Sequence, residues 1–286
     1  MIAACWFTGK DILMQIPVPR KKNLRRSLTY AGAALLILVV TLYLALPVAA
    51  LFFRIPPETF FAALGNPEVQ SALYLSLITT TITLTVVVIV GTPFAYFHTR
   101  LDYPGKMIVD TLIDLPLVLP PAVAGVALLV LWGRVGFLGR YFNLFGISIA
   151  FTTTAVIMAQ IFVASPFYLR QAKSLFAQLD PSYEQTAQTL GASPLRIFTL
   201  ITVPLTAGGL VSGAVMTFGR ALGEFGATIM FAGNLPGVSQ TMPLAVYVGM
   251  ESDFTIGIAL SIMLVIISFA IMIAVRLIAR KEGFNA

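Results

Sequence analysis

The sequence predicts an all-α integral membrane protein with six transmembrane helices. Of its 286 residues, 58% are hydrophobic and only 10% are charged, whereas about 25% of the residues in a soluble domain are charged. Six apolar segments come close to or exceed the roughly 20 residues that a helix needs to cross the hydrocarbon core. They are Leu28–Phe53, Ser71–Phe97, Ile108–Trp132, Thr152–Leu169, Ile201–Phe231 and Phe254–Leu277.

The positions of the basic residues predict the orientation in the membrane. If the N-terminus is cytoplasmic, 14 of the 18 lysine and arginine residues lie on the cytoplasmic side and three on the outer side. Such an excess is typical of cytoplasmic segments. We therefore expect cytoplasmic tails over residues 1–27 and 280–286, with the membrane domain over residues 28–279 in the cell membrane. The net charge of +6 then reflects topology, and no nucleic-acid partner is predicted.

Residues that commonly carry out chemistry are scarce in this chain. Cys5 is the only cysteine, so neither an internal disulfide nor a cysteine-rich metal site is expected. His98 is the only histidine, and we expect it to be interfacial at a cytoplasmic helix end. No Gly-x-x-x-x-Gly-Lys-Ser/Thr sequence occurs, so the chain lacks this nucleotide-binding loop. We predict no catalytic residue, no bound cofactor and no metal site, and an enzyme is disfavoured.

A polar stretch between the fourth and fifth apolar segments predicts two short helices joined by a sharp turn. Asp180-Pro181 is a helix-start signal, because aspartate caps the first backbone N–H groups and proline suits the first helical position. Gly191 suits a left-handed helix stop, and Ser193-Pro194 repeats the start signal. A helix–glycine–helix elbow at a membrane surface is suited to docking on another protein. The alternative is an ordinary amphipathic cytoplasmic loop.

The spacing of this stretch resembles the EAA loop of bacterial ABC importer permeases. That family has Glu-Ala-Ala, three residues, Gly, nine residues, Ile, one residue and Leu-Pro, and here Gln185-Thr186-Ala187 stands where Glu-Ala-Ala is expected. The resemblance implies that a loop over about residues 180–200 docks on a separate cytoplasmic ATPase subunit, which binds ATP and magnesium. The docking residues it implies are Glu184, one position early, with Ala187, Gly191, Ala192, Ile201 and Pro204.

Three prolines interrupt the third apolar segment. Pro116, Pro120 and Pro121 each remove a backbone donor from the predicted helix. At membrane depth such breaks are tolerated where a cavity or neighbouring helices satisfy the freed carbonyls. The functional interpretation is a kinked helix that lines a pathway, with Leu117 and Val118 near a hydrophobic constriction. The alternative is a kink that serves packing alone.

Two ionisable residues lie within the fifth apolar segment. Arg220 and Glu224 are four residues apart and therefore share one face of a helix. Because charges at membrane depth are costly, they are usually paired or functional. Either the two residues neutralise each other, or Arg220 attracts an anionic substrate while Glu224 limits how tightly it binds. Gly223 and Thr228 are the other pathway candidates in this segment.

Small residues recur along the same segment. Gly209 and Gly213, and likewise Gly219 and Gly223, are four residues apart. Faces of small residues let helix backbones approach closely in membranes. In a dimer the same faces also leave room for a pore, so both interpretations stay open.

Three segments together resemble the molybdate permease subunit of ABC importers. They are Asp114–Gly125, Glu184–Pro204 and Arg220–Tyr247, and the similarity extends over most of residues 70–280. The resemblance implies the type I importer fold, working as a homodimer in the lipid bilayer. It also implies delivery of molybdate, or tungstate, by a periplasmic or lipid-anchored binding protein.

Two alternative functions follow from the same residues. Sulfate/thiosulfate permeases share the Leu-Gly-Glu-Phe-Gly-Ala core of Leu222–Ala227, although the continuation Asn234–Tyr247 is nearer the molybdate pattern. An anion channel or carrier that works without ATP is the alternative from another class. A docking elbow has no purpose in such a carrier, so the sequence favours an importer driven by ATP.

Overall fold

The computed structural model describes residues 22–281, and these residues are almost entirely helical with no strand among them. The all-α prediction is therefore confirmed for this part of the chain. The predicted tails fall mostly outside it, since residues 1–21 and 282–286 are not described. The helices are α1 (Lys22–Arg54), α2 (Pro57–Leu64), α3 (Pro67–Arg100), α4 (Lys106–Val118), α5 (Pro121–Trp132), α6 (Gly139–Leu144), α7 (Thr153–Gln178), α8 (Ser182–Thr189), α9 (Pro194–Ile197), α10 (Val203–Leu222), α11 (Gly226–Ala232), α12 (Met242–Ser252) and α13 (Phe254–Lys281).

The chain divides into two units, Met1–Ala50 and Leu51–Ala286. In the first unit, the described residues belong to α1. Its stretch Thr29–Arg54 is long and apolar enough to cross a membrane. The second unit contains the remaining helices, and all sites discussed below lie within it.

Four described helices are long and apolar enough to cross a membrane. They are α1, α3, the continuous stretch from α9 to α10, and α13, and a fifth span results if α4 and α5 count as one. The predicted fourth span corresponds to α7, which is not among them and carries Gln160, Arg170 and Lys173. The structure therefore supports a multi-pass membrane protein with four or five spans by this measure, where the sequence predicted six.

The third predicted span is two helices rather than one kinked helix. The axes of α4 and α5 are bent by 117°. Because a residue before proline is pushed out of the helical conformation, Leu119 and Pro120 are extended, and Pro121 then starts α5. Only Pro116 lies inside a helix, so the prediction that all three prolines interrupt a helix interior is wrong.

The fifth predicted span, Ile201–Phe231, is also broken. Its helix α10 ends at Leu222, and α11 begins at Gly226. Glycine is costly inside a helix, and the Glu224 carboxylate accepts the backbone N–H of Ala227 at 2.8 Å, which satisfies one free donor at the start of α11. At the other end, α9 runs through a π-helical turn, Phe198–Thr202, directly into α10.

Three apolar clusters hold the second unit together. One joins α2, α3, α12 and α13, and another joins α5, α7 and α11. The third cluster joins α3, α7 and α10 around Tyr168 and Phe176. Alanines are frequent in all three, which allows close approach of helix backbones.

The two glycine pairs of α10 have different surroundings. A Cβ atom on Gly209 would lie 2.5 Å from the side chain of Leu175, and one on Gly213 would lie 3.1 Å from Gln171. The first pair therefore packs closely on α7. Apart from the neighbouring backbone of its own helix, no atom of the described residues lies within 4 Å of the corresponding position at Gly219. Gly223 meets only the carbonyl oxygen of Gly219, at 3.5 Å. The second pair leaves an open face.

We predict that Gly125→Ala destabilises the packing of α5 on α11. A Cβ atom at this position would lie 2.6 Å from the carbonyl oxygen of Ala227 and 2.9 Å from its Cα, so the backbones must separate. Overpacking of this kind costs about 1–3 kcal/mol. The check is the thermal unfolding midpoint of the detergent-purified protein, which we expect to fall.

Gly219→Ala is the matched control. A Cβ atom at this position would have no described atom within 4 Å, apart from the neighbouring backbone of its own helix. We expect this variant to unfold at the wild-type temperature or slightly above it, since alanine favours a helix. Equal midpoints for the two variants would contradict the close α5–α11 contact.

Candidate docking elbow and pathway residues

The segment from Asp180 to Thr202 forms a helix–glycine–helix elbow, as its capping signals predict. The Asp180 carboxylate accepts the backbone N–H of Ser182 at 2.9 Å at the start of α8, and this hydrogen bond lowers the pKa of the Asp180 carboxyl. Gly191 has a φ of +81°, a conformation that glycine adopts without steric cost. The N–H of Ala192 donates to the carbonyl oxygen of Ala187 at 3.0 Å and closes the end of α8.

The outer face of the elbow exposes large apolar side chains that the sequence analysis did not single out. Leu190 is 84% exposed, and Tyr183 and Leu195 are also exposed. Grouped apolar side chains on a protein surface commonly mark an interaction site. The signal in the sequence was partial, since Tyr183 and Leu190 are the large apolar residues between Asp180 and Gly191, whereas Leu195 is followed by further apolar residues.

Two of the predicted docking residues are not on this outer face. Glu184 and Ala187 are buried within the chain, so their side chains are not part of the exposed outer face. Ala187 is covered because it lies where α8 closes, and Glu184 is covered because its carboxylate is paired inside the protein. Gly191 and Pro204 are exposed, and Ala192 and Ile201 are half-buried.

The Glu184 carboxylate is the centre of a buried polar cluster. Its Oε1 lies 3.0 Å from Nη2 of Arg100, the last residue of α3, and accepts the hydroxyl of Thr202 at 2.9 Å. The hydroxyl of Tyr96 lies 3.5 Å from Oε2. A carboxylate is buried at tolerable cost only when it is paired and hydrogen-bonded. Removing one partner of such a pair typically costs about 3–5 kcal/mol.

A second polar cluster joins α3, α4 and α7 at the same end of the helices. His98 lies in the last turn of α3 and is only 3% exposed, so its ring is packed against the protein at this helix end. Its Nδ1 lies 2.6 Å from the hydroxyl of Tyr103 and its Nε2 lies 2.8 Å from Oδ1 of Asp110. Asp110 also forms an ion pair with Lys173. The histidine therefore fastens the end of α3 to α4 and, through Asp110, to α7.

The residues at the bend between α4 and α5 lie largely at the surface of the chain. Val118 is 82% exposed, and Pro120 and Pro121 are exposed as well. Pro116 and Leu117 are half-buried. The bend thus exposes apolar side chains at the surface of the chain, where lipid or another protein would contact them.

Arg220 and Glu224 form an ion pair at the break between α10 and α11. Nη2 of Arg220 lies 2.6 Å from Oε2 of Glu224, whose side chain is 1% exposed. The Arg220 side chain keeps 28% of its surface exposed. Gly223 between them is exposed, and the buried hydroxyl of Thr228 has no hydrogen-bond partner in the described part of the chain. One guanidinium nitrogen of Arg220 is thus paired with Glu224. A guanidinium has five N–H donors in all.

We predict that Gly191→Val disrupts docking on the outer face of the elbow. A β-branched residue is strongly disfavoured at the positive φ of this position, so α8 and α9 must reorient. Recovery of the ATPase subunit that the EAA-like spacing implies should fall in the purified protein. Gly191→Asn, which tolerates this conformation, should retain it.

Gly105→Val controls for backbone strain away from the elbow. Gly105 has a φ of +88° and open space around its Cβ position, but it lies between α3 and α4. Loss of the partner ATPase from both valine variants would contradict a specific role of the elbow.

The comparisons with known proteins identify the family. The profile described as "Binding-protein-dependent transport system inner membrane component" matches residues 87–283. The molybdenum transport system permease protein ModB of Mycobacterium tuberculosis is 40% identical over 82% of this chain and 88% of its own length. The protein of the same name from Escherichia coli K12 is 40% identical over 77% of this chain and 98% of its own length.

More distant similarities point the same way. The sulfate transport system permease protein CysT of Salmonella typhimurium is 31% identical over 86% of this chain and 91% of its own length. A bacterial ABC transporter that imports alginate has a chain of the same fold, with a TM-score of 0.72, 16% identity and coverage of 91% of this chain and 98% of that one. The chain therefore belongs to the inner membrane components of binding-protein-dependent transport systems, the permease subunits of ABC importers.

Proposed function

We propose that this chain is the permease subunit of an ATP-driven importer for molybdate, and that two copies form the translocation pathway. The observation that carries the proposal is the 40% identity, over about four fifths of the chain, to proteins named as molybdenum transport permeases. The sulfate permease is less similar, at 31% identity. Tungstate, a tetrahedral dianion like molybdate, is a second substrate of the same pathway.

The elbow is the proposed docking site for a cytoplasmic ATPase. Tyr183, Leu190 and Leu195 expose apolar surface on both of its arms, and the sequence has no phosphate-binding loop of the Gly-x-x-x-x-Gly-Lys type. Energy from ATP must then enter through a separate subunit. The excess of basic residues supports a cytoplasmic position for the elbow and both termini. A periplasmic or lipid-anchored binding protein then delivers the ion on the opposite side.

Import of a dianion requires such an energy source. Moving one charge against a membrane potential of 100 mV costs about 2.3 kcal/mol, so two charges cost about 4.6 kcal/mol. A passive channel cannot accumulate molybdate against an inside-negative potential, whereas coupling to ATP can.

The open face at the end of α10 is the proposed part of the pathway. Gly219 and Gly223 are both exposed, and no described atom outside its own helix packs against Gly219. The Arg220 side chain between them is partly exposed. A guanidinium that is already paired with Glu224 attracts an oxyanion without holding it tightly, because its charge is partly neutralised. Release of the ion from this group is then rapid.

The first experiment is uptake of labelled molybdate in proteoliposomes that contain this chain, its ATPase and its binding protein. We expect uptake that depends on ATP and that tungstate blocks but sulfate does not. Inhibition by sulfate would move the chain to the sulfate/thiosulfate importers. Uptake in the absence of ATP would favour a channel or carrier and overturn the proposal.

We predict that Arg220→Gln combined with Glu224→Gln gives a folded protein with impaired transport. The neutral pair removes both charges together, which avoids the penalty of leaving the buried Glu224 carboxylate unpaired. An interaction with a charged group is worth about 1.5–3 kcal/mol, so molybdate uptake should fall by roughly ten- to hundredfold.

Arg220→Gln alone is the comparison, because it strands the buried Glu224 carboxylate. This single variant should lose stability as well as transport. Wild-type uptake by the double variant would show that the ion pair serves only the structure.

A further inference from the structure

The hydrogen bonds that join α8 to α3 end on a single side chain. The polypeptide itself connects α8 to α7 through Asp180-Pro181 and to α10 through Gly191, whereas α3 is distant in sequence. In the part of the chain that the structure describes, Arg100 and Tyr96 are the α3 residues that hydrogen-bond to α8, and both meet the Glu184 carboxylate. Any displacement of α8 relative to α3 must therefore break these contacts.

The surroundings of Glu184 make this link stiff. Oε1 also accepts the hydroxyl of Thr202, which is completely buried at the end of the π-helical turn. The Tyr96 ring packs on Phe198 of that turn, with ring centroids 4.9 Å apart, and on Phe176 of α7, with centroids 5.8 Å apart. Electrostatic contacts are stronger in such a water-poor environment than in solvent. The carboxylate thus sits where α3, α7 and the start of α10 converge.

The two sides of α8 differ in character. Its outer side exposes Tyr183, and Leu190 follows its last residue, whereas its inner side buries Glu184 and Ala187. A partner that pushes on the outer side acts directly on a helix whose inner carboxylate is fixed to Arg100. The buried position of Glu184 therefore fits a role in connecting α8 to α3 better than a direct contact with a docked partner.

We propose that Glu184 is a positioning residue for transport, whose carboxylate transmits displacement of the elbow to α3 through Arg100. The inference rests on the proposed function, because it requires an ATPase docked on the elbow. It assigns Glu184 to the link between the elbow and the membrane helices instead of to the docking surface. Thr202 extends the same link to the beginning of α10.

The test uses the complete complex in proteoliposomes, with Glu184→Gln and Arg100→Gln as single variants. The readouts are recovery of the ATPase subunit, the rate of ATP hydrolysis, and molybdate imported per ATP hydrolysed. Each single variant leaves one charge of the pair without its partner and should lower the yield of folded chain. Recovery of the ATPase is therefore counted per folded permease chain, and we expect that ratio and the rate of hydrolysis per complex at wild-type levels. Molybdate per ATP should fall by roughly fivefold or more, the low end of measured allosteric couplings.

Asp102→Asn is the matched control. Asp102 also pairs with a cation near the end of α3, with Oδ1 3.2 Å from Nζ of Lys106, but its side chain is fully exposed. Exposed ion pairs contribute little free energy to stability, so this variant should import the wild-type amount of molybdate per ATP. Thr202→Val is a further variant that keeps both buried charges, and we expect a smaller loss of coupling from it.

The charge-reversed pair, Glu184→Arg with Arg100→Glu, should import more molybdate per ATP than either single charge-removing variant. Wild-type import per ATP in both single variants and in Thr202→Val would overturn the inference. So would a loss of import that is matched by loss of the ATPase from the complex, because Glu184 would then act in docking. If the wild-type complex shows no uptake driven by ATP, the proposed function itself fails, which separates the two outcomes.

Discussion

The buried carboxylate of Glu184 is the interaction on which the elbow depends. A carboxylate without water must be paired, and this one is paired with Arg100 and bonded to Thr202. These contacts fix α8 against α3 and the start of α10, and they leave the apolar side chains of Tyr183 and Leu190 on the surface. In the proposed importer, the same elbow both receives the ATPase and passes its movement to the membrane helices.

The two breaks in the membrane helices obey a related constraint. Backbone polar groups inside a membrane must be satisfied by the protein itself. Between α10 and α11, the Glu224 carboxylate accepts the N–H of Ala227, so one residue both pairs with Arg220 and supports the break. Between α4 and α5, Pro121 has no N–H to satisfy. Both breaks present exposed residues, Val118 in one and Gly223 in the other.

Much of this organisation was predictable from sequence, and the failures have physical causes. Local signals such as Asp180-Pro181 and Gly191 predicted the elbow, because capping and left-handed turns depend on neighbouring residues. Hydropathy predicted the apolar segments but merged α10 with α11. Gly223 and Gly226 hardly lower the mean hydropathy of the segment, so hydropathy alone does not reveal that the helix is broken there. The burial of His98 and Glu184 was not predictable, because their partners Asp110 and Arg100 lie 12 and 84 residues away.

If Glu184 links the elbow to α3, the two should move as one body. A distance measured between a label on the elbow and a label at the far end of α3 tests this most directly. Spin labels at Gln188 in α8 and at Glu68, at the far end of α3, should be separated by a distance set largely by α3, which is 34 residues or about 50 Å long. Cys5 is replaced by serine, and labelled copies are diluted with unlabelled ones in the assembled complex. We predict the same distance with and without ATP in the otherwise wild-type chain and a nucleotide-dependent change once Glu184→Gln is added. A distance that changes equally in both would contradict the account.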